Sequence, residues 1–317
     1  METKKGKKVT VLGAGNVGAS IAYTLTVCGT CSEIVLVDIN KPKAKGEALD
    51  ISQGDSLCPT VKITDGEYED AAGSDVVVVT LGIARKPGQS RLDLAQTNVN
   101  IIKDVMPKVT KFAPNAIYVV VSNPVDILTY TILKCTDLKP EQVIGSGTLL
   151  DSSRLRADLA ARTGVSVKNI HGYVLGEHGD SSMVPWSMVT IAGMSMKDYC
   201  EAENVVKYDT ASLDQVLEDV RTAGAEVIKC KGATFYAIAL SVNKICDSIL
   251  RDSGDVLPVS TLTNGRYGTE NVCLSLPYQV GITGIKAALK PKFTAEEEER
   301  LVASSKALKA VIDQLAI

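Results

Sequence analysis

The sequence predicts an α/β fold, an open, doubly wound parallel sheet followed by a second domain of α+β type. Three observations carry this reading. In the first half, short apolar strand-like runs alternate with helical stretches. A glycine-rich turn, Gly13-Ala14-Gly15-Asn16-Val17-Gly18, joins the first strand to the first helix. Near Gly145–Thr148 the alternation gives way to long helices and turn-linked strands, which divides the chain into residues 1–146 and 147–317.

The elements follow in order. Lys8–Leu12 is a strand and Asn16–Val27 has helical periodicity, while Glu33–Ile39 is rich in β formers. Ser74–Leu81 and Ala116–Ser122 are nearly continuous apolar runs. Runs buried on both faces and separated by helices belong to parallel sheets with helices on each side. In the second half, Asp151–Thr163 reads as a helix stopped by Gly164. Ser212–Ile249 reads as a long helix, with interruptions expected near Gly224 and Gly232. Val256–Leu262 and Val272–Leu276 suggest antiparallel strands about an Asn264-Gly265 turn. Thr294-Ala295-Glu296-Glu297 is a capping box opening a last helix.

With 317 residues, 45% hydrophobic and 22% charged, the chain can bury a large core. A formal net charge of -3 supplies no basic field for nucleic acid, and the only basic cluster is the short Lys4–Lys8 stretch. No apolar run approaches the ~18–20 residues of a membrane span. The N-terminus lacks the apolar core of a secretory signal. Most of the eight cysteines, Cys230, Cys246 and Cys273 among them, lie in apolar patterns, so buried free thiols in a reducing cytoplasm are expected. Cys28-Gly29-Thr30-Cys31 has redox-motif spacing but falls at the end of a helix, away from the N-terminal field that lowers a thiol pKa. A structural role is the better reading.

A lone Gly-x-Gly-x-x-Gly is weak evidence. Here it has its strand and helix, and Asp38 ends the second strand. Gly13 permits the tight turn, Gly15 lets backbone approach a pyrophosphate, and Gly18 allows close helix–strand packing. The Asp38 carboxylate can accept both ribose hydroxyls and would repel a 2′-phosphate, which favours NAD over NADP. Ser122-Asn123-Pro124 ends a central strand, on the edge where open α/β sheets bind ligands.

Three further constellations concern chemistry. His178, one of two histidines, sits in Gly176-Glu177-His178-Gly179-Asp180, where flanking glycines leave it accessible. Reducing a ketone requires a proton for the developing alkoxide, and imidazole titrates in the right range. A lone histidine is more often structural. Asp151 and Arg154, three apart near a helix start, share a face. One could orient the imidazole while the other forks a substrate carboxylate, or they could form a surface ion pair of little worth. The segment from Gly82 to Leu92 carries Pro87, Gly88, Arg85 and Arg91, and could form a lid over an anionic ligand. No metal-ligand spacing is present.

Taken together, the Gly13–Gly18 turn with Asp38, the Arg85–Arg91 segment, Ser122-Asn123-Pro124-Val125-Asp126, Leu150–Arg154 and Gly176–Asp180 resemble the L-lactate/L-malate dehydrogenase family along essentially the whole chain. The resemblance implies a Rossmann NAD-binding domain, a catalytic domain, and a homotetramer acting on a small 2-keto or 2-hydroxy acid. It implies His178 as proton donor and acceptor, oriented by Asp151. It places Arg154 on the substrate carboxylate, Arg91 as the lid residue polarising the carbonyl, and Asn123 on the same oxygen. Cofactor contacts are implied at Val17, Lys43, Tyr68, Gly82, Val121 and Asn123, beside Gly13, Gly15, Gly18 and Asp38.

Arg85 matches the lid position that reads the substrate's far end, commonly Gln in lactate and Arg in malate dehydrogenases. A guanidinium closed into a dry site favours a second carboxylate. Thr222–Glu226, with its small Gly224, is similar to the malate type, whereas Lys231-Gly232-Ala233-Thr234 and Gly176-Glu177-His178 are similar to lactate enzymes, with Thr234 walling the pocket. The pattern resembles lactate-dehydrogenase-like malate dehydrogenases of clostridial type, so malate dehydrogenase is the expectation and L-lactate dehydrogenase the alternative. Arg156 and His171 match positions where allosteric bacterial lactate dehydrogenases gather an anion. A catalytically silent NAD-binding protein, from another class, should have lost one of His178, Asp151, Arg154 or Arg91; all four are present.

Overall fold

The structure, a computed structural model, describes residues 7–83, 88, 90–268 and 270–317. Its first half alternates as the sequence predicts. The elements are β1 (Lys8–Leu12), α1 (Asn16–Cys28), β2 (Glu33–Val37), α2 (Lys41–Ser52), β3 (Lys62–Gly66), β4 (Val76–Val79), α3 (Arg91–Thr110), β5 (Ile117–Val120), α4 (Val125–Cys135) and β6 (Val143–Gly145). The six strands pair in parallel in the order β6-β5-β4-β1-β2-β3. Val76–Val79 is wholly buried because β4 lies mid-sheet with helices on either face. The Rossmann reading is therefore correct.

The second half contributes α5 (Leu149–Thr163), β7 (Ile170–His171), β8 (Thr190–Ile191), β9 (Met194–Ser195), α6 (Met196–Glu203), α7 (Thr210–Lys231), α8 (Tyr236–Arg251), β10 (Val256–Leu262), β11 (Cys273–Gly281), β12 (Gly284–Ala288) and α9 (Ala295–Ile312). A separate core forms where α5 and α7 meet the three-stranded sheet β7-β8-β9, around Leu155, Leu159, Ile191, Val216 and Val220. The antiparallel strands do not form a sheet of their own. Through Ser260 opposite Gly145, β10 joins β6, and β10-β11-β12 extend the parallel sheet to nine strands.

Two local expectations need revision. The long second-half helix is two helices, α7 and α8. The break falls only at Gly232, whose φ of 86° suits glycine, and α7 runs through Gly224 unbroken. The Asn264-Gly265 turn exists, with φ of 52° and 77°, but Leu262 pairs with Cys273, so the connection is longer than the turn alone. The Thr294 box forms: its side chain accepts from Glu297 N and Glu297 accepts from Thr294 N.

All eight cysteines are free. Cys31 and Cys246 are buried, and burial pushes the Cys31 thiol up to about 12. Cys230, expected inside, is exposed, because the last turn of α7 leaves the core. Among the described residues no helix is long and apolar enough to cross a membrane.

The glycine turn gives a test of packing. A Cβ on Gly18 would lie 1.8 Å from the Gly13 carbonyl oxygen, whereas one on Gly15 meets nothing within 4 Å. Gly18→Ala should cost about 3 kcal/mol in chemical denaturation, and Gly15→Ala under about 1 kcal/mol while weakening NADH binding. Equal stabilities would contradict this packing.

Candidate active site

The site lies along the carboxyl ends of the parallel strands. At β1, the Gly13 amide donates to Val37 O at 2.7 Å. Asp38, just past β2, accepts the Ala14 amide on one oxygen at 2.6 Å and the Asn40 amide on the other at 2.8 Å. The carboxylate is thus fixed beside the turn. No side chain caps α1 at Gly15, so its first amides remain for an anion. A cavity of about 650 Å³ opens here, lined by Gly13, Gly15, Asp38, Ile39, Tyr68 and Gly82 among others. The room above Gly15, the free helix end and the fixed acid fit a dinucleotide. Val17, Val121 and Asn123 line a second cavity, of about 360 Å³, on the catalytic side. Lys43 lines neither cavity; its backbone amide is spent on the Asn40 cap of α2.

In that second cavity the second-half residues converge. Asp151 opens α5, buried, and its carboxylate is shared. One oxygen accepts from His178 Nδ1 at 2.6 Å and the other from Arg154 at 2.8 Å. A carboxylate only accepts, so Nδ1 carries the proton and Nε2 is left for substrate. Arg154 keeps its remaining N–H groups for a second anion. Asn123 and Thr234 line the same cavity. The Asp151–Arg154 pair is therefore not a surface ion pair.

Four elements hold the histidine loop. Gly176 exchanges backbone hydrogen bonds with Ser275 on β11, at 3.0 Å each. Glu177 N donates to Ser304 Oγ on α9 at 2.9 Å, and His178 N donates to Asp126 Oδ2 on α4 at 2.8 Å. Asp151 on α5 is the fourth anchor.

Electrostatics follow from this packing. Burial works against the charged imidazole, but the Asp151 charge and hydrogen bond, aided by Asp126, outweigh it and raise the His178 pKa. For Asp151 burial favours the neutral acid, yet His178 and Arg154 prevail and hold it below the usual carboxylate range.

Arg91 stands elsewhere. It begins α3 and pairs with Asp180 at 2.6 Å, both side chains about four-fifths exposed (78% and 81%), and it does not line the catalytic cavity. Arg85 lies outside the described residues, with Ala84, Lys86, Pro87 and Gln89. Arg156 donates to Gly172 O at 3.2 Å, next to His171 on β7.

Sequence reasoning missed three residues. Asn98, buried on α3, accepts from Ile83 N at 3.0 Å and donates to Asn123 O at 2.8 Å, tying two strand-end loops together. Its signal was a polar residue inside the apolar stripe Ala95–Val99–Ile102. Arg221 lines the cavity and donates to Ser182 O. Asp126 was read only as part of a motif.

Known proteins bear directly on this geometry. Residues 7–145 match the model of the lactate/malate dehydrogenase NAD-binding domain, and residues 148–316 that of the lactate/malate dehydrogenase α/β C-terminal domain. The chain belongs to the lactate/malate dehydrogenase family. It is similar to L-lactate dehydrogenase 1 of Clostridium acetobutylicum, 46% identical over 98% of this chain and 99% of the relative. An L-lactate dehydrogenase of Clostridium botulinum is 45% identical over 96% of each chain. Among solved structures, the minor L-lactate dehydrogenase of Enterococcus mundtii superposes with a TM-score of 0.94, at 38% identity, covering 98% of this chain and 99% of that one. A lactate dehydrogenase from a Medee basin deep-sea metagenome library gives 0.95 at 36% identity, covering 99% of this chain and all of that one. As a family member the chain is an NAD-dependent dehydrogenase.

The expectation of a malate enzyme is overturned by these relatives, all named lactate dehydrogenases. It rested on one loop guanidinium, Arg85, and on the small Gly224. The structure gives Gly224 another reason: a Cβ there would lie 3.3 Å from Arg154 Nη2, so its smallness makes room for that guanidinium. Beyond it the cavity wall carries the apolar side chains Val220, Ala225, Ile228 and Ile238, with Thr234 and the Arg221 guanidinium among them.

Replacing Asp151 by Asn should lower kcat/KM for 2-keto acid reduction by about 100-fold or more. The pH profile should follow. With His178 as the proton donor, reduction should be full below the raised pKa and be lost as pH rises through it, and Asp151→Asn should move that loss to lower pH. A pH–rate profile unchanged by the substitution would contradict this electrostatic reading.

Proposed function

We propose that the chain is an NAD-dependent L-lactate dehydrogenase interconverting pyruvate and L-lactate. The observation that carries this is the His178–Asp151–Arg154 chain of hydrogen bonds in a cavity whose wall includes Val220, Ala225, Ile228 and Ile238. The names of its relatives favour the same substrate.

When bound, the nicotinamide supplies the hydride for the substrate's 2-carbon. Arg154, tethered to Asp151, grips the substrate carboxylate with its free N–H groups and orients the ketone. Charge grows on the 2-oxygen as the carbon is reduced. His178 Nε2 gives that oxygen a proton, with Asp151 stabilising the charged ring throughout. Asn123 donates to the same oxygen, and Arg91 must leave Asp180 to approach it. The methyl group of pyruvate rests against Thr234 and Ile238. In lactate oxidation the neutral Nε2 accepts the proton.

At the cofactor end, Asp38 takes the ribose hydroxyls, and Gly13, Gly15 and Gly18 shape the pyrophosphate cradle. Val17, Tyr68, Gly82 and Val121, which line the two cavities, would hold the rest of the dinucleotide.

The direct test is kcat/KM for pyruvate against oxaloacetate with NADH. Pyruvate should be preferred by at least about tenfold. An oxaloacetate preference would refute the lactate assignment and leave the reaction class intact.

We also infer a homotetramer, the assembly the family resemblance implies; α1 and α8 pack together and expose Tyr23, Val27, Tyr236 and Leu240, large apolar side chains that one partner subunit would cover. Arg156, which donates to Gly172 O, and His171, the residue before that glycine, are the candidate site for an anionic effector. In sedimentation the protein should run as a tetramer, and fructose bisphosphate should tighten it or lower KM for pyruvate. A monomer, or no response to the anion, would remove the corresponding inference.

A further inference from the structure

Asp126 is a buried acid in the first turn of α4, 2% exposed, and nothing in the reaction derived above uses it. Its Oδ2 accepts the His178 amide at 2.8 Å, across 52 positions of chain. Among the described residues Oδ1 has no partner within ordinary hydrogen-bond distance; the Ser260 hydroxyl, itself unpaired on β10, borders the carboxyl and favours its charged form. The other titratable groups facing it are His178 and Glu177 from the histidine loop and Cys273 from β11. None of these provides a lasting positive charge; only His178 can, when protonated.

A half-partnered carboxylate at this depth is costly to the fold, and an apolar side chain of similar volume would pack without that cost. Burial pushes its pKa up to about 6, against the favourable influence of Ser260 and His178, so above that pH it is still charged. A group kept charged at such a site is a candidate for function.

Its position says which function. Upstream, the loop is fastened at Gly176 by Ser275 and at Glu177 by Ser304. Downstream, Gly179 and Asp180 are exposed. The Asp126 bond is therefore the last main-chain anchor before the exposed stretch, and it acts on the residue that carries the imidazole. The ring is held at two points from two helices, its backbone by α4 and its Nδ1 by α5.

We propose that Asp126 is a positioning residue for proton transfer: it pins the His178 main chain so that the ring stays on Asp151, and it sets a second negative charge behind the imidazolium. The proposal rests on the dehydrogenase reading. Asp151 orients the ring through its edge; Asp126 fixes the backbone from which the ring projects. Both favour the protonated ring, and Arg154 on the far side of Asp151 opposes them.

The test compares pH profiles of kcat/KM for pyruvate reduction in the wild type, Asp126→Asn and Asp126→Ala, with NADH binding followed by fluorescence. Asparagine keeps an oxygen for the His178 amide and removes the charge. It should retain kcat within about tenfold and shift the governing pKa down by about half a unit or more. Alanine removes both functions, and kcat/KM should fall about 100-fold, mainly through kcat, with NADH affinity within about threefold of wild type. If Asp126→Ala does not fold, the pKa shift in Asp126→Asn decides alone. A wild-type pKa in Asp126→Asn, wild-type turnover in Asp126→Ala, or parallel loss of NADH binding and turnover in Asp126→Asn would each overturn the positioning role. A wild type that reduces no 2-keto acid would instead refute the dehydrogenase reading.

Discussion

The shared carboxylate of Asp151 is the interaction on which the site depends. Its two oxygens serve two different partners, the His178 imidazole and the Arg154 guanidinium. Because the carboxylate is buried, its charge is little screened, and both bonds are strong and geometrically exacting. One carboxylate thereby sets the direction of the imidazole and of the guanidinium together. A shift of α5 would move both relative to the cofactor cradle, so the placement of that helix matters more than that of any single side chain on it.

The fold supplies that placement. Helix α5 begins directly after β6, the edge strand of the parallel sheet where β10 joins it. Thr148 Oγ1 donates to Val174 O at 2.6 Å, and Ser152 Oγ accepts from Val174 N at 2.9 Å, so the first turn of α5 is fastened to the segment leading into the histidine loop. Gly147, with φ of 53°, leaves no room for a Cβ: Ser275 Oγ would be 2.5 Å away. The sheet extension β10-β11 thus does more than enlarge the core. It brings Ser275 and Ser260 to the same corner, where the loop, α5 and α4 meet.

Much of this was legible in the chain. The glycine turn and Asp38 act locally, within one β-α-β unit, so sequence spacing reports their geometry. Asp151 and Arg154 share a helix face by the same local rule. His178 was identified by its glycines and by the scarcity of histidine. What could not be read was long-range. The Asp126–His178 bond spans α4 and a distant loop, and the junction of β10 with β6 crosses the expected domain boundary; neither leaves a periodic trace. Arg91 on Asp180 is an exposed pairing chosen by local geometry, which spacing does not encode. The malate expectation failed for a related reason. It assigned substrate choice to one loop charge and to the smallness of Gly224, whereas Gly224 borders Arg154 and leaves that guanidinium its room.

Two buried carboxylates, Asp151 and Asp126, strengthen the hold of His178 on its proton, and Asp151 fixes its tautomer. Nitrogen NMR of the imidazoles measures this directly, and with only two histidines in the chain, His171 and His178, assignment is simple. The His178 pKa should lie above the ordinary 6.5, with the proton of the neutral ring on Nδ1. A pKa at or below 6.5, or a neutral ring protonated on Nε2, would contradict it.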